Sequence, residues 1–376
     1  MRSQSPQDSV LEVESVFFLK QNRMGKYFSL LIGVVLLLSC ANRQPGAEGQ
    51  GDGLSYAQLL RLDGDSAITV LDPWQQGKTL QTLKATKPFK RVVVFTTVHC
   101  QLMEYLGVAD RIVGVCDSKY ILIKDIQRRL ALASGAKGKI EDCGNSMSPD
   151  MERIMALKPD AIIISPYEGQ SMQKIERLGI PIIYAADYME TSSLGRAEWM
   201  RYYGRLFGCE RKADSLFHVV DSTYQGLKAF AARLPKGKSV LTERKTGAIW
   251  YTPGGNSTVG VTIRDANGGY AFANDNHSGS LALNFETILA KAGQSDVWAF
   301  KVNGSRLMTK ADLLSEFKGY EALKAFRDGQ IYECDCGEKP YFEETSWRPD
   351  YLLREMIILL HPGAKLGRLR YYQKLG

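Results

Sequence analysis

From Arg91 the chain settles into a regular rhythm of apolar runs. RVVVFTT is a continuous apolar stretch of the kind found in strands buried on both faces, and CQLMEYLGVADRI after it repeats apolar residues at helical spacing. VGVC, AIIIS and IPIIYAA follow as further short runs, with helical MQKIERLG between the last two. Strands alternating with helices predict a parallel α/β layer from Arg91 to about Ala186. Ahead of it, residues 54–87 differ. SAITVLDPW alternates, and KTLQTL follows a glycine turn, which predicts a small antiparallel segment.

Between Glu210 and Leu234 the apolar residues Ala213, Leu216, Phe217, Val220, Tyr224, Leu227, Phe230 and Ala231 recur at intervals of one, three and four, and Pro235 ends the pattern. A helix over 210–234 would reach roughly 36 Å, far enough to pass from one small domain to another. Strand and helix patterns then resume: SVLTERK, IWYTPGGNS, ETILAKAG, DVWAF, QIYEC and a closing amphipathic PDYLLREMIILLHP. The organisation expected is a lobe at 88–209, a linker helix at 210–234 and a second lobe at 235–376.

One unit occurs twice. MERIMALKPDAIII and FETILAKAGQSDVWAF both give a glutamate, an isoleucine two residues on, an alanine four on, and an aspartate just before an apolar strand. The glutamates are Glu152 and Glu286, each preceded by a small polar loop, GNSMSPD and NDNHSGS. A repeat of this kind predicts two similar lobes.

The N-terminus adds a destination. Lys26 precedes the apolar run Tyr27 to Leu38, which ends in Leu-Leu-Ser-Cys, the pattern of a secretory signal too short to remain as a membrane span. Small residues before Cys40 and Ala41 after it resemble the lipobox of bacterial lipoproteins, in which that cysteine is acylated and becomes the first residue. Residues 1–39 are read as an extension plus signal with a true start at Met24, and residues 40–53 as a flexible tether. The net charge of +7 is dispersed, with no basic block, so nucleic acid is not indicated. Of seven cysteines, six remain beyond Cys40; the even number permits disulfides, but their spacing is no framework. Cys334-Asp335-Cys336 is half a metal motif without its partner, so no structural metal is expected.

In order and spacing, RVVVFTT, YLGVADRIVGV, ERIMALKPDAIII, LGIPII, the long helix, ETILA with DVW, AFRDGQIY and RPDYLLREMIILLHP resemble the class III periplasmic substrate-binding proteins of ABC importers. These serve iron chelates, haem and cobalamin. The resemblance covers roughly Pro88 to Pro362, and phrases such as WYTPGGNS also resemble lipoproteins of Bacteroidetes-like bacteria. It implies two Rossmann-like α/β lobes with mainly parallel sheets, bridged by one rigid helix, with the ligand in the cleft between them. It also implies a monomer with no resident cofactor, tethered through lipid at Cys40 and facing the periplasm. Its partners would be a metal chelate and an ABC permease dimer with its ATPase subunits. Glu152 and Glu286 would then be the surface acids, one per lobe, that meet permease arginines. A carboxylate in a helix's first turn is favoured by the dipole while staying exposed.

Ligands in open α/β sheets sit beyond the carboxyl ends of the strands. That rule selects His99, Ser118 to Tyr120, Tyr167, Glu168, Tyr188, Arg244 and the segment Trp298 to Lys301. The repeat loops add Asn145, Ser146, Asn276 and His277; Trp250 precedes a Gly-Gly turn and Trp347 lies before the closing helix. Tyr251 and Trp298, inside strand patterns, read as core. His99 and His277, facing one another across the cleft, could ligate the metal of a haem or corrinoid or could only hydrogen-bond. Four scattered histidines do not suit a zinc or manganese carrier. A chelatase-like enzyme would need a His–Glu pair, for which His99 with Glu168 is the only candidate, and no nucleophile elbow, zincin or phosphate-loop motif occurs.

Overall fold

The computed structural model describes residues 53–64, 67–169, 172–304 and 306–376. The signal segment, Cys40 and nearly all of the tether lie outside the described residues. Among those described, no helix is long and apolar enough to cross a membrane, and the six cysteines beyond Cys40 are free thiols.

The first lobe holds a five-stranded parallel sheet in the order Ile182–Tyr184, Ala161–Ile164, Val92–Val94, Ile112–Val115, Glu141–Asp142. The second holds Gly269–Tyr270, Ser239–Thr242, Val297–Val302, Ile331–Asp335 and Gln373–Lys374, parallel except for the last. Alternation along each strand sorts side chains to two faces. Val92, Val94 and Ile163 join one large core that both lobes share, while Val93, Phe95, Ile162 and Ile164 form a separate outer core. In the second lobe Val240, Val297 and Ala299 enter the shared core, and Leu241, Trp298 and Phe300 the outer one. Burial on both faces is why these strands read as unbroken apolar runs rather than alternation.

The linker is a 22-residue helix, Glu210–Ala231, about 33 Å long, which stops three residues before the expected 234. It buries Ala213, Phe217, Val220, Tyr224 and Ala231, and packs against Met200–Phe207 from one lobe and Pro349–Leu360 from the other. The antiparallel segment forms as expected from Leu60–Asp63, Ala67–Leu71 and Thr79–Lys84. Its Gln81 acts as an extra peptide group on the edge of the first lobe's sheet: Nε2 donates to the Ile182 carbonyl at 2.6 Å and Oε1 accepts the Tyr184 N–H at 3.0 Å. Filling those edge groups keeps the strand from pairing with another chain.

Candidate ligand cleft

In the first sheet the strand order turns back on itself between Val92–Val94 and Ala161–Ile164. Connections leaving those two strands diverge, and a crevice opens beyond their carboxyl ends. Thr96, Val98 and His99 follow one strand and Ser165, Pro166 and Tyr167 the other. With Tyr188 and Arg196 they line a cavity of about 290 Å³. The second sheet reverses between Ser239–Thr242 and Val297–Val302. There Glu243, Arg244 and Lys301, joined by Thr246, Tyr251, Pro253 and Ser280, line a cavity of about 240 Å³. Both cavities stand where the topology alone would put a ligand.

A buried charge cluster floors the first cavity. Asp187 is fully buried; its Oδ1 takes His99 Nε2 at 2.9 Å and its Oδ2 takes Arg196 Nε at 3.0 Å. The other ring nitrogen of His99 lies in a short contact with Thr96 Oγ1. Burial pushes the Asp187 carboxyl up, but the His99 and Arg196 partners outweigh it and hold the group below its usual range. Among the described residues the terminal guanidinium nitrogens of Arg196 have no hydrogen-bond partner, and this arginine lines the cavity.

A carboxyl held below its unfolded value contributes stability that is present above that value, near 3.9, and disappears as pH falls through the folded value. Asp187→Asn should therefore destabilise the protein by about 3 kcal/mol at neutral pH and flatten the loss of stability below about pH 4. Urea unfolding of both proteins across that range tests it; parallel curves would deny Asp187 the role.

The second cavity is built on an inward ion pair. Lys301 Nζ is bound tightly to Glu243 Oε1 and lies 5.3 Å from the centre of the Tyr341 ring. Burial would lower the Lys301 ammonium, yet the Glu243 charge overrides that and raises it, so the lysine stays charged. Glu243 sits at a left-handed φ of 62° directly after its strand, a conformation that side chains larger than glycine adopt only when their surroundings enforce it. Here the backbone is held by the Ala299 carbonyl at 3.0 Å and by Trp298 Nε1 at 2.6 Å. Arg244 pairs with Glu316 at 2.6 Å.

One short helix, Tyr341–Thr345, adjoins both cavities. Thr97 beside the first cavity donates to Glu343 at 2.9 Å, while Tyr341 meets Lys301 of the second. The two cavities thus flank a single seam between the lobes.

The sequence candidates divide. His99, Tyr167 and Tyr188 meet in the first cavity, and Arg244 lies in the second. Tyr120 is exposed under Lys119, and Asn145 and Ser146 form a hairpin turn where Asn145 Oδ1 takes the Met147 N–H; neither cavity includes them. Glu168 is exposed beside Tyr167 without lining the cavity. Asn276 and His277 lie in the loop just before Ser280, with His277 71% exposed and its Nδ1 on Asp275 at 2.9 Å.

Three placements are corrected, those of Trp250, Tyr251 and Trp347, and two alternatives that the sequence left open at His99 are narrowed. Trp250 is fully buried against Trp298, Tyr320 and Phe285, whereas its neighbour Tyr251 is 47% exposed and faces the second cavity. Alternation on Ile249–Pro253 put the two rings on opposite faces, the reverse of the expected assignment. Trp347 is also core, its Nε1 donating to the Val98 carbonyl at 2.7 Å. His99 has both ring nitrogens hydrogen-bonded within its own lobe, the second of the two readings open to it. Its carboxylate partner is Asp187 rather than Glu168, and the pair a chelatase would need is not formed. Asp187, Arg196, Glu243 and Lys301 complete the site. Lys301 falls in the segment the strand-end rule selected; for Asp187 and Arg196 a polar stretch after IPIIYAA was the only signal.

The two repeat units coincide structurally. Asp150 caps Met151–Leu157 by accepting the Arg153 N–H, and Asn284 caps Phe285–Ala292 by accepting that of Thr287. Each glutamate, Glu152 and Glu286, is the second helical residue and exposed, and Ile154 and Ile288 are the buried residues two further on.

A family model described as periplasmic binding protein matches residues 92–336. The chain belongs to the periplasmic binding protein family. The uncharacterized lipoprotein MJ0878 of Methanocaldococcus jannaschii is 28% identical over 339 residues, covering 86% of this chain and 78% of that protein. The petrobactin-binding protein YclQ of Bacillus subtilis is 27% identical over 218 residues, 57% of this chain and 60% of its own length. A periplasmic heme binding protein from Pseudomonas aeruginosa shares the fold with a TM-score of 0.60 at 16% identity, covering 77% of this chain and 98% of that one. Two lobes bridged by a long helix are the architecture of class III periplasmic binding proteins, which work with the permease and ATPase subunits of ABC importers.

Proposed function

We propose that this protein is a lipid-anchored substrate-binding protein that captures a metal chelate in the cleft and delivers it to the permease dimer of an ABC importer. The observation that carries this reading is the pairing of two cavities at the two strand-order reversals, with two half-exposed tyrosine rings in the first and one in the second, each beside a cation held by a buried or half-buried acid. Tyr167, Tyr188 and Tyr251 offer aromatic faces, and Arg196, Arg244 and Lys301 offer charge to the oxygens of an anionic chelate. Iron–siderophore complexes and haem carry such oxygens; the name of the petrobactin-binding relative supports the first. Binding followed by release of the unaltered chelate is the expected activity, with no turnover. The lipoprotein name of the archaeal relative supports acylation at Cys40.

The test is the absorbance spectrum of protein purified from its native host, followed by titration with the ligand so identified. A catecholate charge-transfer band, a Soret band or corrinoid bands each name one ligand class. The expected Kd lies around nM to µM, roughly −12 to −8 kcal/mol. A colourless protein that binds none of these chelates, or one that returns a chemically altered ligand, removes the reading. Alkyne fatty-acid labelling should mark the wild type and not Cys40→Ala; equal labelling of both removes the anchor alone.

A further inference from the structure

Glu333 and Asp335 lie two residues apart on the strand Ile331–Asp335, so both leave the same face of the second sheet. Each is bound to the segment that follows Val297–Val302. Glu333 Oε2 accepts the Met308 N–H at 3.0 Å. Asp335 Oδ1 accepts the N–H groups of Gly304 at 3.1 Å and Gly337 at 2.8 Å. Among the described residues the remaining oxygens, Glu333 Oε1 and Asp335 Oδ2, are buried without a hydrogen-bond partner, and Glu333 as a whole is 1% exposed. A backbone carbonyl stands beside the second of these oxygens. Asp335 Oδ2 and the Arg306 oxygen approach one point above Gly304, at 3.4 and 3.3 Å from where a Cβ would stand.

Two unpaired carboxylate oxygens out of water, on one strand face, are costly unless a proton or a cation satisfies them. The nearby guanidinium groups are committed elsewhere. Arg306 is bidentate to Asp312 at 2.8 and 2.9 Å, and Arg244 is held by Glu316 at 2.6 Å. Cys334, between the two acids, points into the shared core instead. Among the described residues no three His, Cys, Asp or Glu side chains converge, so nitrogen- and sulfur-seeking metals are not served. What remains is oxygen alone.

We propose that Glu333, Asp335 and the Arg306 carbonyl bind a hard divalent cation of the Ca2+ class. Ca2+ accepts an irregular shell of carboxylate, carbonyl and water oxygens, whereas Mg2+ demands near-ideal octahedral geometry. The cation fastens the segment carrying Gly304, Arg306 and Met308 to the strand and so stiffens the end of Val297–Val302, which carries Lys301 of the second cavity. This site stands independently of the ligand reading above.

The experiment uses the full chain, stripped with EDTA, dialysed and titrated with CaCl2 by calorimetry and thermal unfolding. One Ca2+ per chain is expected, with the unfolding midpoint raised by about 2–4 °C at saturation and a smaller response to MgCl2. Asp335→Asn should weaken Ca2+ at least about tenfold, because it removes one of only two charged ligands. Should that variant not fold, Glu333→Gln, of the same shape, answers the same question. A wild type that ignores Ca2+, or variants that bind it unchanged, overturns the site. If Glu333→Gln melts higher than a Ca2+-insensitive wild type, a proton rather than a cation satisfies the pair.

Discussion

Reversing both rim charges, Glu152→Lys with Glu286→Lys, should reduce uptake roughly a hundredfold while leaving the chelate Kd within about twofold. Each glutamate is exposed in the first turn of a capped helix, one per lobe. An exposed ion pair is worth up to about 1 kcal/mol, and reversal replaces that attraction with comparable repulsion, about tenfold in docking per lobe. If each lobe meets a different permease subunit, the two effects are distant and add. Neither residue lines a cavity, which is why ligand affinity should survive. Lysine in a first helical turn also opposes the dipole by about 0.3–1 kcal/mol, so Glu152→Gln with Glu286→Gln serves as the milder control. The measurements are transport in a strain lacking the native gene and ligand titration of the purified variants. Normal uptake by the double reversal would remove the docking role. Lost ligand binding would instead place these acids in the cleft.

Glu198→Ala should cost about 3–5 kcal/mol and release the N-terminal segment from the first lobe. Glu198 is fully buried and accepts the N–H groups of Ser55, Tyr56 and Ala57 at 2.7–3.0 Å, with Arg201 at 3.2 Å. Glu190 does the same for Gln58 and Leu59 at 2.9–3.0 Å and is itself fixed by Trp199 Nε1 at 2.9 Å. Two carboxylates thus gather five successive backbone N–H groups that belong to no strand. Removing Glu198 leaves three of them buried or half-buried without an acceptor, at about 1–3 kcal/mol each before relaxation. Urea unfolding should show the loss, and timed proteolysis should cut within residues 54–84 of the variant well before it cuts the wild type. Equal protection of that segment would show that the hairpin's own packing, rather than the carboxylate clamp, holds it. Glu198→Gln, which keeps one acceptor oxygen, should fall between the two.

The lobes, their parallel strands and the bridging helix were legible because each is a local pattern repeated over many residues. The apolar runs at Val92–Val94, Ala161–Ile164 and Val297–Val302 are buried on both faces, and a continuous run is the direct imprint of that environment. The paired helix starts at Glu152 and Glu286 were legible for the same reason: cap, exposed acid and buried isoleucine lie within five residues. The strand-end rule also found Tyr167, Tyr188 and Arg244, since a residue's position after a strand is a sequence property. It failed at Trp250 and Tyr251 because neighbouring residues on a strand face opposite ways. Only pairing with Ser280–Leu283 fixes which one turns inward. A bulky ring at either position satisfies the same pattern.

The sequence by itself determined the element types, the duplication of the lobe unit, the helical bridge and the strand ends from which a cleft is built. Those follow from short-range periodicity, which backbone geometry translates directly into faces. Tertiary structure alone decided which side chains act there. Asp187 reaches His99 across 88 positions of sequence, Glu198 reaches Ser55 across 143, and Thr97 reaches Glu343 across 246. No local pattern marks such partners, because a buried charge is stabilised by whichever opposite or hydrogen-bonding group the fold delivers to it. The same burial that hides Glu333 leaves one of its oxygens without a partner among the described residues. Composition lists the acid; only packing shows that it is unsatisfied.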